Sequence, residues 1–210
     1  LTSSNTGKTW YAITKKSSVI YSAKISTNNG GTLSSTANLS CTIAETYNGK
    51  AQATSCEVTM PTITTASSVT PIFVGWNTTS GATTNNSSYN KTTNKLTLSS
   101  SNASQTWYLI TTNSSITYTA KVNGNNSTLS SASDLSCTIA STYNGKAQAT
   151  SCRVKMPTIT APSATPTVVG WNTSADASTD ISGYASSGTS LGLTSSNTGK
   201  TWYAITKKSS

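Results

Sequence analysis

Residues Leu1–Ser18 (LTSSNTGKTWYAITKKSS) recur without a change at Leu193–Ser210, 192 positions later. A repeat of this kind constrains the fold before anything else does, because each copy must be a structural unit that stacks or strings with its neighbours. A diverged copy, LSSSNASQTWYLITTNSS, lies halfway at Leu98–Ser115. Cys41, Tyr47, Asn48, Gly49, Lys50, Cys56, Met60 and Pro61 return 96 positions later as Cys137, Tyr143, Asn144, Gly145, Lys146, Cys152, Met156 and Pro157. Pro71, Gly75, Trp76, Asn77 and Tyr89 return 95 later as Pro166, Gly170, Trp171, Asn172 and Tyr184. The period is therefore about 96 residues, with one single-residue slip. The half-period copies differ while the full-period copy does not, which implies a parent array whose super-repeat is two units. With no initiator Met, the chain reads as a window on a longer protein.

Composition decides whether such a unit folds. Ser, Thr and Asn make up roughly half the chain, far above ordinary globular usage, and only 9% of residues are charged. That balance alone fits a disordered linker. The apolar residues argue otherwise, because they cluster into runs such as Trp10-Tyr11-Ala12-Ile13 and Ile72-Phe73-Val74-Gly75-Trp76. These runs are aromatic and β-branched, as strands are, and no stretch holds a 3.6-residue period. The expectation is a mostly β protein built of two tandem small domains. A core of that size gains from a covalent brace.

The net charge of +9 reflects few acids rather than many bases. No basic cluster exceeds Lys15-Lys16, and Arg153 is the sole arginine. A nucleic-acid groove needs a basic stripe with interleaved aromatics, so no nucleic-acid partner is expected. No run approaches the roughly 20 apolar residues of a membrane span.

The four cysteines repeat one arrangement, so pairing within each unit, Cys41 with Cys56 and Cys137 with Cys152, is the simple reading. Asn-Gly is the strongest short hairpin signal, because a type I′ turn needs positive φ at both central positions. Asn48-Gly49 and Asn144-Gly145 each lie midway between two cysteines. A two-residue hairpin would set those cysteines opposite each other as a hydrogen-bonded pair, roughly 5.5 Å apart at Cα, a separation that a disulfide accepts. Alternation would place Ile43, Tyr47, Val58 and Met60 on the same face. Four cysteines without His and without C-x-x-C spacing match no zinc pattern. Disulfides in turn imply an extracellular location.

Tyr21-Ser-Ala-Lys-Ile-Ser-Thr-Asn28-Asn29-Gly30-Gly31-Thr32, then Pro61, then Phe73-Val-Gly-Trp-Asn-Thr78 and Thr106-Trp-Tyr-Leu-Ile110 resemble the Listeria–Bacteroides repeat, the internalin B-repeat type of module in bacterial surface proteins. The resemblance spans each repeat end to end, with Gly-Trp-Asn-Thr and Asn-Gly-Gly its most specific parts. It implies a β-grasp-like fold, the alternative being an immunoglobulin-like sandwich, with a disulfide-braced hairpin added to each unit. It also implies boundaries: residues 1–16 as the last strand of a preceding repeat, 17–112 as one unit and 113–210 as the next. A cut near residue 96 is the other division. An orphan strand at the start would be a free edge able to template end-to-end association.

Chemistry finds little to work with. Glu45, Glu57, Asp134, Asp176 and Asp180 are the only acids, and their counterparts are Ser141, Arg153, Asn38, Gly81 and Asn85. With no acid kept between copies and no His, general acid–base and Ser-His or Cys-His chemistry lack candidates. The expectation is no enzyme, catalytic residue, metal or cofactor. Trp76 and Trp171 read as core, as do Trp10, Trp107 and Trp202. The following Tyr11, Tyr108 and Tyr203 lie on the opposite strand face and are the candidate ligand contacts. The leading reading is a stalk or fibre segment of a long bacterial cell-surface, adhesin-like protein. Its partners are then neighbouring repeats, and other copies end to end. The alternative is a repeated glycan- or receptor-binding module that gains avidity from many weak copies.

Overall fold

The computed structural model describes residues 2–92, 94–184 and 188–209. Among the described residues the regular structure is β, apart from a 3₁₀ turn at Ser3–Asn5. The chain divides into two compact units. The first is Leu1–Asn113 together with the turn Tyr143–Lys146; the second is Ser114–Thr142 with Ala147–Ser210.

The principal strands of the first unit are β1 (Val19–Ser26), β2 (Leu39–Ile43), β3 (Ser55–Thr59), β4 (Ile72–Asn77), β5 (Lys95–Ser99) and β6 (Thr106–Asn113). Four of them form a mixed sheet, with β1 and β6 adjacent and parallel in the centre, Trp107 beside Ile25. β2 flanks β1 and β4 flanks β6, both antiparallel. Apart from this sheet, β3 and β5 form an antiparallel ladder, and Gly31–Leu33 pairs with Ile63–Ala66. The parallel central pair sets the unit apart from an immunoglobulin-like sandwich, whose sheets are antiparallel.

Alternation explains how these strands make a core. In β1, Ala23 and Ile25 are buried while Ile20 and Lys24 face out; in β5, Leu96 and Leu98 are buried between exposed neighbours. This is the half-buried strand pattern, one face packed and one solvated. Ala23, Ile25, Trp76, Trp107 and Leu109 meet Leu96, Leu98, Met60 and Leu33 in one cluster. Trp107 receives the ring of Tyr89 edge-on, with centroids 4.5 Å apart.

The second unit repeats this plan. Its strands are β7 (Ile116–Asn123), β8 (Leu135–Ile139), β9 (Ser151–Lys155), β10 (Thr167–Asn172), β11 (Ser190–Thr194) and β12 (Thr201–Lys207). The mixed sheet runs β8-β7-β12-β10, again with its first and last strands parallel in the centre. β9 pairs with β11. Trp171, Trp202, Leu191, Leu193 and Met156 fill the core.

Both expected disulfides form, Cys41–Cys56 with Cα atoms 6.1 Å apart and Cys137–Cys152 with 6.0 Å. The type I′ turn between each pair also forms. The ladder expected to join turn and bridge does not. Cys41 lies opposite Tyr21 across β1–β2, and Cys56 lies opposite Leu98 across β3–β5. The bridge therefore ties the mixed sheet to the separate β3–β5 ladder instead of linking neighbours in one hairpin. Each cysteine strand finds a longer alternating partner elsewhere, and pairing there buries Leu96 and Leu98. Gln52 holds the base of the loop, donating from Nε2 to the carbonyls of Ser17 and Ala44; Gln148 does the same to Ser114 and Ala140. That bracing role accounts for the recurrence of this glutamine.

Trp10 departs from the core placement expected of it. It is 74% exposed, whereas Trp107 and Trp202 are almost fully buried. The reason is the neighbours. β6 and β12 lie between two strands each, but among the described residues that precede Ser17 only Lys15–Lys16 is paired in a ladder, with Thr46–Tyr47.

Candidate functional site

The two Asn-Gly turns are alike in backbone. Asn48 and Gly49 have φ of 56° and 73°, Asn144 and Gly145 of 56° and 75°. In each, the lysine N–H closes the turn on the tyrosine carbonyl at 3.3 Å. Positive φ at two successive positions is what Asn-Gly tolerates and most residues do not.

Their surroundings differ. At the Tyr47–Lys50 turn, the Asn48 N–H donates to the Thr14 carbonyl at 2.8 Å. Beside it the Tyr47 hydroxyl donates to Glu45 Oε2 at 2.6 Å. That bond, followed by the carboxylate charge, raises the Tyr47 pKa above 10.0. Because the folded pKa is raised, the contribution is present below pH ~10 and lost as pH rises through the shifted value. Residue 141 is Ser where 45 is Glu, so the other turn lacks this pair.

The Tyr143–Lys146 turn is seated in a socket of the first unit. Asn144 N–H donates to the Thr111 carbonyl at 3.0 Å, and Asn144 Nδ2 donates to the Ala82 carbonyl at 3.1 Å. Asn144 Oδ1 accepts a longer bond from Thr111 N–H at 3.4 Å. Gly145 N–H donates to Thr70 Oγ1 at 3.0 Å, and that hydroxyl is paired with Thr111 Oγ1 at 2.9 Å. Both threonines are completely buried. A Cβ on Gly145 would run into the Asn29 carbonyl, while one on Gly49 would meet nothing. The socket wall is held by Asn28, whose Nδ2 donates to the Ser80 carbonyl at 2.7 Å. Asn28 and Asn29 both adopt the left-handed conformation.

The second unit builds the same socket from its own residues. Asn125 and Asn126 take the left-handed conformation, and Asn125 Nδ2 donates to the Ala175 carbonyl at 2.8 Å. Thr165 and Thr206 reproduce the hydroxyl pair at 2.8 Å. Here the threonines are only half-buried. They line an open cavity of about 260 Å³ with Asn125, Asn126, Ala175 and Ala177.

Sequence reasoning singled out the turns but not the sockets. The signal was there, in Thr70 and Thr111 returning 95 positions later as Thr165 and Thr206. In a chain this rich in Thr, two recurrences do not stand out.

The remaining candidates are placed as follows. Trp76, Trp107, Trp171 and Trp202 are buried. Tyr108 and Tyr203 are half-buried on the face opposite their tryptophans, and Tyr11 is 83% exposed. A cavity of about 360 Å³ in the first unit lies beside Met60, Ile63, Phe73, Trp76 and Lys91. Among the described residues, no three His, Cys, Asp or Glu side chains gather as metal ligands would. Nor is any described helix long and apolar enough to cross a membrane. The two disulfides point to an oxidising environment of the extracellular kind. No family model matches the chain, and no curated protein or solved structure does either.

Proposed function

We propose that the chain is a structural segment, a stalk or fibre stretch of a long secreted or cell-surface bacterial protein. The observation that supports this reading is the unit itself, built twice on one plan, each copy locked by its own sheet-to-ladder disulfide. A brace of this kind constrains the unfolded chain, on the order of 3 kcal/mol for a loop of about 15 residues. Paired with a polar surface of low charge, it suits a spacer that must survive outside the cell. The resemblance to the Listeria–Bacteroides repeat of bacterial surface proteins agrees with that role.

Electron microscopy of the native protein tests it. Regularly spaced globules in a thin extended array are expected; a collapsed single particle would sink the stalk reading. Glycan binding through Tyr108 and Tyr203 is tested by replacing both with Ala. On the structural reading the double variant leaves retention on immobilised glycans at the level of the parent chain and lowers the melting temperature.

A further inference from the structure

The turn seated in the first unit's socket carries the pair Asn144-Gly145, and Asn-Gly is chemically unstable. With no side chain on the glycine, its nitrogen reaches the asparagine Cγ more easily than that of any other residue. We propose that Asn144 is a guarded modification site. The seated turn keeps its side chain an amide, while each opening of the seat exposes it to succinimide formation, whose products no longer fit the seat.

The reaction is a displacement at Cγ with no change of oxidation state. Base takes the proton from the Gly145 nitrogen, the nitrogen bonds to Asn144 Cγ, and the Cγ–Nδ2 bond breaks. Nδ2 leaves as ammonia. Water then opens the five-membered ring at one of its two carbonyls, leaving aspartate or isoaspartate at position 144.

Each of the groups that must move is held in the seat. The Gly145 proton is engaged by Thr70 Oγ1 at 3.0 Å, and that hydroxyl is itself paired with Thr111 Oγ1 at 2.9 Å. Both threonines are completely buried, which keeps base away from this proton. The asparagine side chain is fixed at both ends, Nδ2 on the Ala82 carbonyl at 3.1 Å and Oδ1 on the Thr111 N–H at 3.4 Å. Turning Cγ toward the Gly145 nitrogen breaks these two bonds. The backbone has no slack either, because Asn144 N–H is bonded to the Thr111 carbonyl and the Asn29 carbonyl lies against Gly145.

The guard is nevertheless one that opens. Among the described residues, none of Tyr143–Lys146 belongs to the first unit's core cluster, so the seat rests on polar contacts. Such bonds contribute little net stability each, and a turn held by them opens locally at less cost than the unit unfolds. Asn144 and Gly145 are half-buried, so water meets them once the bonds part. Closing then fails after modification. Aspartate has no hydrogen to give the Ala82 carbonyl and sets a carboxylate oxygen against it, a charge left without a partner. Isoaspartate adds a methylene to the backbone, so the N–H groups at 144 and 145 no longer match Thr111 and Thr70 together.

Peptide mass spectrometry of the full chain, aged at mildly alkaline pH, tests the guard. Fragmentation assigns the change, because the tryptic peptide ending at Lys146 also contains Asn123-Gly124. In the folded chain Asn144 is expected to convert more than roughly tenfold more slowly than in urea with the bridges intact. Thr70→Val removes the acceptor of the Gly145 proton and should speed conversion at Asn144 roughly tenfold. Thr165→Val, the same change at the equivalent position of the second unit, should leave that rate as it is. Asn144→Asp makes one product directly, and hydrogen exchange at the Gly145 N–H should then approach the rate of the unfolded chain. Equal conversion in the folded and urea-unfolded parent overturns the proposal, with no variant needed. So does a Thr70→Val chain that ages like the parent, or a Thr165→Val chain that ages as fast as Thr70→Val. An Asn144→Asp chain whose Gly145 N–H stays as protected as in the parent overturns the claim that the products no longer fit. None of these outcomes bears on the stalk reading, which microscopy of the native protein decides separately.

Discussion

Gly49 and Gly145 occupy the same turn position with nearly the same φ, so any side chain added at either strains the backbone equally. What differs is the space around them. An added methyl at Gly145 meets the Asn29 carbonyl, and at Gly49 it meets open solvent. Comparing the two alanine variants therefore cancels the backbone strain and leaves the cost of overpacking, about 1–3 kcal/mol. Gly145→Ala is expected to lower the stability of the first unit by that much more than Gly49→Ala, measured by urea unfolding followed by hydrogen exchange. Equal losses would mean that the second turn is not seated where the structure places it.

Between elements, the disulfides connect a sheet edge to a separate ladder, and both bridges close loops of sequence separation 15. Replacing Cys41 and Cys56 with Ser should lower the stability of the first unit by about 3 kcal/mol. Replacing Cys137 and Cys152 should do the same to the second unit, so the order of unfolding inverts between the two variants. Hydrogen exchange resolved by peptide reads which unit opens first; an unchanged order would contradict this account. How far the fold was legible follows from the range of each cause. The turn geometry was readable because Asn-Gly meets a local need for positive φ, and the strands because alternation has a period of two. The cysteine pairing was readable from the repeat. The ladder between the cysteines was not, because β2 and β3 found their partners far away in sequence, at β1 and β5. The burial of Trp10 was misread for a related reason. A strand's own pattern says which face wants cover but not whether neighbours are present to supply it. Thr70 and Thr111 escaped notice because their role depends on a turn that is distant in sequence from both of them.

At the scale of the whole molecule, the bridges set how much chain a pulling force can release. The residues between Cys41 and Cys56 are bypassed by a bridge spanning 6.1 Å, and the bridge at Cys137–Cys152 acts alike over 6.0 Å. A tethered chain pulled from its ends should therefore lengthen in two steps, one per unit, each shortened by its locked loop. Reduction frees the loop, whose separation of 15 residues corresponds to about 50 Å at full extension. Subtracting the span already bridged, each step should grow by about 45 Å under reducing conditions. Single-molecule force spectroscopy with and without reductant measures this directly. Reduction should also lower the unfolding force, because the mixed sheet is then no longer fastened to the β3–β5 ladder. Steps of unchanged length after reduction would show that the bridges do not lie in the path of the load. A spacer that limits its own extension through a bond in each unit would then have to be abandoned as the reason for the braces.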